Sequence, residues 1–477
     1  MLFSSFLFIF LFLPMFFFIF YISKPTYRNL IIFLGSLLFY FYGEHVRTLI
    51  LIFSIFANFT VGYLLSKNMA LDPNGKPIPT QKSRIILFSG VLINLGLLAY
   101  FKYAGFLTEN LNHLLAAVHS PWLAPAVNIA LPLGISFFAF QGISYIMDVY
   151  RGDIKPTGSI FTFGTYKLMF PQLIAGPIVR YANVANDMDN RHVHVDQVFE
   201  GITRFSLGLM KKVLIADTMA QVVNDIFSLP NNELSFGIAW LGAIAYTFQI
   251  YFDFSAYSDM AIGMGRMMGF KYPENFNYPY ISTSIREFWR RWHITLSSWF
   301  RDYVYIPLGG NRIGPARTYG NLLFIFFLTG LWHGASWTFV AWGMWHGAFM
   351  LLERWSDPDK WRIPKVLKHA YLLLVVIFGW VLFRATSFKQ ALAFFGNMLG
   401  IKQGNDPLPI AAYLDPQVYV FLIVATLFSM PIYHWMRKTF PENQKLIWGT
   451  ITICFGVILC SMKILAGSYS PFLYFRF

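Results

Sequence analysis

The sequence predicts an all-α, polytopic integral membrane protein, and three observations predict it. Hydrophobic residues make up 56% of the 477 residues and charged residues only 13%, against roughly a quarter charged in an average soluble domain. A soluble chain of this length could not hide so much apolar surface in its interior. Apolar runs recur along the whole sequence, separated by polar stretches. The 52 Phe, 26 Tyr and 14 Trp residues add bulk suited to lipid-facing and interfacial surfaces. Together these exclude a soluble enzyme, a disordered chain and a coiled coil. No internal repeat and no Gly/Ser-rich linker divides the sequence, so residues 1–477 read as a single membrane domain.

Taken in order, the first apolar run ends at Ile22, and its first cations, Lys24 and Arg28, follow it. A cleavable signal peptide has the reverse order, so this is expected to be a retained first helix. Further runs cover residues 30–42, 48–65, 85–101, 127–147 and 160–179. Later ones cover 205–220, 236–254, 321–332, 335–352, 371–383, 418–430 and 447–462. Several fall short of the ~20 residues that cross a bilayer upright, which predicts tilted, broken or re-entrant segments. The run 160–179 contains Phe170-Pro171-Gln172-Leu173-Ile174-Ala175-Gly176-Pro177. Its prolines and glycine free backbone groups that lipid cannot satisfy. It is expected to be re-entrant from the cytoplasmic side, a Pro-kinked full span being the alternative. About 11–12 spans are expected.

The net charge of +14 reads as orientation rather than nucleic-acid binding, because Lys and Arg collect in cytoplasmic loops. The loop 67–84 carries Lys67, Lys76, Lys82 and Arg84 against Asp72. The stretch 266–317 carries Arg266, Lys271, Arg286, Arg290, Arg291, Arg301, Arg312 and Arg317 against Glu274, Glu287 and Asp302. Loop 437–445 is also basic. The stretch 103–122 has Glu109 and no Lys or Arg, and 222–235 has only Asp225 and Glu233. The first set is expected in the cytoplasm and the second outside, with an external N-terminus. Cys454 and Cys460, six residues apart in an apolar stretch, predict neither a disulfide nor a metal site.

Two stretches carry the candidate chemistry. From Ser284 to Arg312, Trp289, Trp292 and Trp299 alternate with Arg286, Arg290, Arg291 and Arg301, and His293 sits between them. This composition suits a helix lying in the membrane interface; its cations equally suit a phosphorylated ligand presented from the cytosol. The second stretch is Thr329-Gly330-Leu331-Trp332-His333-Gly334-Ala335-Ser336-Trp337, and no charged residue occurs from Asn321 to Leu352. An ionisable side chain inside a membrane segment is a functional candidate by default. Desolvation favours neutral imidazole, which can take a proton from a hydroxyl; a histidine bonded to a neighbouring carbonyl is the structural alternative.

Other polar residues read more plainly. His346 is expected to be structural or tunnel-lining. Lys211 and Lys212 snorkel or meet a polar cavity, and Asp253 and Asp259 pair with nearby cations. His192 and His194 lack a complementary Cys, His or carboxylate cluster, so no metal site is expected. Gly263-Met-Gly265-Arg-Met-Met-Gly269 follows an apolar helix rather than a strand, which argues against a nucleotide loop.

Six pieces together carry a family resemblance: Leu131-Pro132-Leu133-Gly134-Ile135-Ser136-Phe137, Phe170–Pro177, Tyr251-Phe252-Asp253-Phe254-Ser255, Glu287–His293, Gly330-Leu331-Trp332-His333-Gly334 and Ser468–Phe475. With them the sequence resembles the membrane-bound O-acyltransferase family, most closely its alginate O-acetyltransferase branch. The resemblance implies a ring of transmembrane helices around a thin centre, with a tunnel joining the two faces. It implies that His333 is the membrane-embedded active-site histidine and His293 the second histidine. Arg290, Arg291, Arg301 and Trp332 become candidate substrate contacts. The implied activity is O-acetylation of an extracytoplasmic, alginate-like exopolysaccharide, with acetyl-CoA as acyl donor and no bound cofactor. A periplasmic SGNH-like acetyltransferase is the implied partner in a bacterial inner membrane, with lipid around the chain and no nucleic acid involved. Peptidoglycan O-acetylation, D-alanyl transfer and a non-catalytic role in polysaccharide export stay open as alternatives.

Overall fold

A computed structural model describes residues 3–73, 77–402, 404, 408–439, 441–467 and 472–473. The chain is 75% helical. It packs as two compact units, Met1–Val198 with Gly265–Pro273, and Phe199–Met264 with Glu274–Phe477. Of the loop and terminal residues read above, Lys76, 468–471 and 474–475 lie outside the described residues.

The first unit holds α1 (Leu13–Ile22), α2 (Arg28–Glu44), α3 (Thr48–Asn68), α4 (Gln81–Leu98), α5 (Ala104–Ala117), α6 (Ile135–Arg151), α7 (Ile160–Leu168), α8 (Phe170–Leu173) and α9 (Tyr181–Asn190). A short antiparallel pair, β1 (Ala70–Leu71) and β2 (Pro77–Ile78), joins α3 to α4 in the register Ala70–Ile78. Polarity runs inside out here. α3 buries Ser54 and Asn58 and exposes Phe53 and Phe56; α4 buries Ser83 and Asn94 and exposes Ile85, Phe88 and Leu92. The amides of Asn58 and Asn94 bond each other both ways at 3.1 and 2.8 Å, and Lys167 Nζ donates to Ser54 Oγ at 2.7 Å. Apolar residues outside and hydrogen-bonded polar residues inside suit a chain solvated by lipid.

Two stretches differ from the sequence reading, and one bears out an expected break. The apolar run beginning at residue 127 becomes helical only at Ile135, because Pro132 and the left-handed Gly134 (φ +74°) precede it. The run 160–179 is broken at Met169 into α7 and α8, as its Pro171 anticipates. The stretch 103–122, read as a loop, is mostly α5.

The second unit is built from α10 (Val195–Met210), α11 (Asp217–Phe227), α12 (Phe236–Met267), α13 (Ile285–Arg291), α14 (Ile294–Phe300), α15 (Pro315–His333), α16 (Trp337–Ser356), α17 (Lys365–Arg384), α18 (Phe388–Met398), α19 (Pro416–Phe428), α20 (Ile432–Thr439) and α21 (Glu442–Leu465). Among the described residues, four segments are long and apolar enough to cross a membrane by length and composition alone: Pro25–Asn68, Gln81–Ala117, Lys365–Arg384 and Leu446–Leu465. The shorter and interrupted helices match the short apolar runs of the sequence. A buried ion cluster sits in this unit, where Lys212 Nζ lies 2.7 Å from both Asp217 Oδ1 and Asp253 Oδ1. The other oxygen of Asp253 accepts the backbone N–H of Leu473 at 2.8 Å. Lys211 pairs with Asp259 at 2.6 Å, so both aspartates find the cations expected of them.

Candidate active site

The stretch from Ser284 to Arg312 is not one interfacial helix. Ser284 caps α13 by accepting the N–H of Glu287, and the Glu287 carboxylate accepts the N–H of Thr283 at 2.9 Å. That is the reciprocal logic of a capping box shifted by one residue. The helix stops at Trp292, and His293 then takes a left-handed conformation (φ +43°) before α14 begins. Trp289, Trp292 and Trp299 are buried in protein, which corrects the lipid-interface reading of their composition. A Glu on another helix fixes where α13 starts. The carboxylate of Glu353, on α16 and fully buried, accepts the backbone N–H groups of Ile285 at 2.6 Å and Arg286 at 3.0 Å.

His293 is fully buried, and its Nδ1 lies 3.0 Å from Asn275 Oδ1. That oxygen also accepts the Thr295 hydroxyl at 2.8 Å, while Asn275 Nδ2 donates to Ser258 Oγ at 3.0 Å. An oxygen so placed is an acceptor, so Nδ1 of His293 carries the proton and Nε2 carries the lone pair. Nε2 is buried with no hydrogen-bond partner among the described residues. Burial pushes the imidazole down to about 3, because the cation would lose its hydration.

His333 ends α15, and an extended Gly334 leads through Ala335 and Ser336 into α16, where the Ser336 hydroxyl accepts the Thr338 N–H. The two helices pack backbone to backbone. A Cβ at Gly330 would collide with the carbonyl of Phe339, and one at Gly343 with the carbonyl of Phe326. His333 is thereby held 5% exposed among Trp332, Trp342 and Phe383, at ring-centroid separations of 4.8, 4.9 and 5.0 Å. The indole of Trp332 also lies 5.9 Å from the His293 ring. The structure therefore brings His293, Trp332 and His333 into one cluster.

The three arginines do not form a comparable cluster. Arg290 is exposed. Arg291 donates to Glu287 at 3.0 Å and to the Asn277 carbonyl at 3.1 Å, and Arg301 pairs with Asp302 at 2.7 Å. Sequence reasoning missed Asn275 and Glu353. Asn275 lies in the polar segment before α13, and Glu353 reads as one more charge at a helix end. Only their tertiary partners mark them out.

The sequence model described as MBOAT, membrane-bound O-acyltransferase family, matches residues 154–392. A probable alginate O-acetylase, AlgI, of Pseudomonas putida is 41% identical over the full length of both chains. The protein of the same name from Azotobacter vinelandii is 40% identical, again over the whole of both. A peptidoglycan O-acetyltransferase of Helicobacter pylori is 33% identical over 100% of this chain and 98% of its own. The family match takes in both histidines, Asn275 and Glu353, and the likeness to these acyl-transferring enzymes runs from end to end: the chain belongs to the membrane-bound O-acyltransferase family and is a multi-pass membrane O-acyltransferase.

Proposed function

We propose that the protein takes acetyl groups from cytosolic acetyl-CoA and passes them across the bacterial inner membrane for O-acetylation of an extracytoplasmic, alginate-like polysaccharide. A periplasmic SGNH-like acetyltransferase would complete delivery to the sugar hydroxyls. The full-length likeness to proteins named alginate O-acetylase supports the acyl group and the acceptor class. The observation that carries the site is the Trp332 indole in contact with both buried imidazoles.

In this reading His333 is the general base. It removes the proton of an attacking hydroxyl while that oxygen forms a bond to the thioester carbonyl carbon. The tetrahedral species collapses, the C–S bond breaks, and the departing coenzyme A sulfur takes the proton back from His333. His293, with a lone pair at Nε2, aligns the donor or assists proton transfer from the cytoplasmic side. Arg290 is exposed and suits contact with coenzyme A phosphates, whereas Arg301, also exposed, is engaged by Asp302.

Ester-linked acetate on the cell's polymers, measured with and without the protein, tests the reading. Loss of polysaccharide acetate supports it. Acetate lost from peptidoglycan instead would favour the second reading, which the Helicobacter pylori relative motivates. Unchanged acetate in every polymer would remove both.

A further inference from the structure

Two tryptophans and a histidine form a buried ring cluster next to His333 in the second unit. Trp289 on α13 and Trp342 and His346 on α16 are all more than nine-tenths buried. Their rings touch pairwise. Trp289 and His346 lie 5.2 Å apart, Trp342 and His346 5.2 Å, and Trp289 and Trp342 5.8 Å. Among the described residues, Nε1 of both indoles and both ring nitrogens of His346 are buried with no hydrogen-bond partner. Buried indole N–H groups normally find an acceptor. Neighbouring ones here do: Trp240 donates to the Met398 carbonyl at 3.0 Å, Trp345 to the Val375 carbonyl at 2.9 Å and Trp380 to the Tyr280 hydroxyl at 3.1 Å.

The chemistry of this donor set selects its ligand. Each indole can only donate, and a neutral imidazole offers one donor and one acceptor. Three neutral N–H donors among aromatic walls suit an uncharged oxygen with spare lone pairs. They do not suit a phosphate, which would call for a cation. Trp342 also packs edge-on against His333, at 4.9 Å and 88°, so the cluster adjoins the candidate general base.

We propose that Trp289, Trp342 and His346 form the pocket that receives the carbonyl oxygen of the acyl thioester. The proposal rests on the acyl-transfer reading above and assigns His346, expected to be structural or tunnel-lining, a part in the reaction. As the hydroxyl oxygen bonds to the carbonyl carbon, the carbonyl π pair moves onto the oxygen in this pocket and the hydroxyl proton goes to His333. When the carbonyl re-forms, the C–S pair leaves with coenzyme A. Donors aimed at an oxygen that gains charge only in the transition state raise turnover more than ground-state binding.

Trp342→Phe and Trp289→Phe each keep an aromatic ring and delete one N–H, and both can be assayed in membrane vesicles holding the full chain and radiolabelled acetyl-CoA. The expected result is a kcat roughly 10²-fold lower, with KM for acetyl-CoA within about twofold of wild type. Indole ¹⁵N–¹H signals lost in these variants should shift downfield when acetyl-CoA, but not free CoA, is added to the wild-type protein in detergent. Wild-type kcat in a variant that melts normally overturns the proposal, as does a raised KM at unchanged kcat. Should Trp342→Phe fail to accumulate, Trp289→Phe, on a different helix, decides. A wild-type protein that transfers no label defeats the acetyl-transfer reading itself; active wild type with equally active variants defeats only the pocket.

Discussion

Glu353 and Ile285, 68 positions apart in the chain, are joined by a 2.6 Å hydrogen bond from the Ile285 backbone N–H to the Glu353 carboxylate. The second carboxylate oxygen takes the next N–H, that of Arg286. One buried anion thus holds the first turn of α13, where free N–H groups and the helix dipole favour negative charge. α13 carries Trp289 and leads into His293, while α16 follows directly on His333. Glu353→Gln replaces one acceptor with an amide that turns a donor toward a donor. It should lower the apparent unfolding temperature in detergent, corresponding to about 1–3 kcal/mol, and reduce acetyl transfer. A variant with the wild-type melting temperature would show that this contact contributes nothing.

His333→Ala should reduce polymer acetylation by ~10²–10⁴-fold while membrane abundance stays near wild type. His333→Gln keeps hydrogen-bonding capacity without a basic nitrogen and should fail equally. Acetate measured beside immunoblots of membranes separates chemistry from folding. Near-normal acetylation by a well-expressed His333→Ala protein would leave this histidine a structural role.

His293 makes a pH prediction. Its ordinary value of 6.5 falls to about 3 in the folded protein, so below 6.5 the unfolded chain binds a proton that the folded chain refuses. Stability that is fully present above 6.5 is therefore lost progressively as pH falls toward 3. Asparagine tolerates left-handed backbone, so His293→Asn should fold, and its melting temperature should decline less steeply between pH 7 and pH 4. Parallel slopes for the two proteins would contradict this.

Orientation has its own test. Single cysteines at Lys76 and Asn311 should react with a membrane-impermeant thiol reagent only when the cytoplasmic face is opened, given the basic character of both stretches. Labelling of intact cells with a permeabilised outer membrane would reverse the assignment.

What the sequence revealed and what it hid differ by physical cause. His333 was legible as a candidate because an ionisable group in an uncharged apolar stretch has few roles open to it. The break between α7 and α8 was legible because Pro171 acts locally. The interfacial reading of Trp289, Trp292 and Trp299 failed for a reason intrinsic to composition: an indole leaves water as readily for a protein interior as for a lipid headgroup zone. Asn275 and Glu353 were hidden because their roles lie in partners far along the chain, and neither residue type at its position carries that information.

The bond from Leu473 to Asp253 spans 220 positions, and this has a consequence for how the protein is made. A nascent chain delivers Lys212, Asp217 and Asp253 into the membrane long before Leu473 leaves the ribosome. Through that interval one lysine serves two carboxylates, and Asp253 waits with one oxygen unclaimed. The Leu473 N–H is therefore a late-made partner for an aspartate buried early. Polypeptides stopped after Gly467 should be inserted normally yet be degraded faster than the full chain in a pulse-chase, even though every candidate catalytic side chain is present in them.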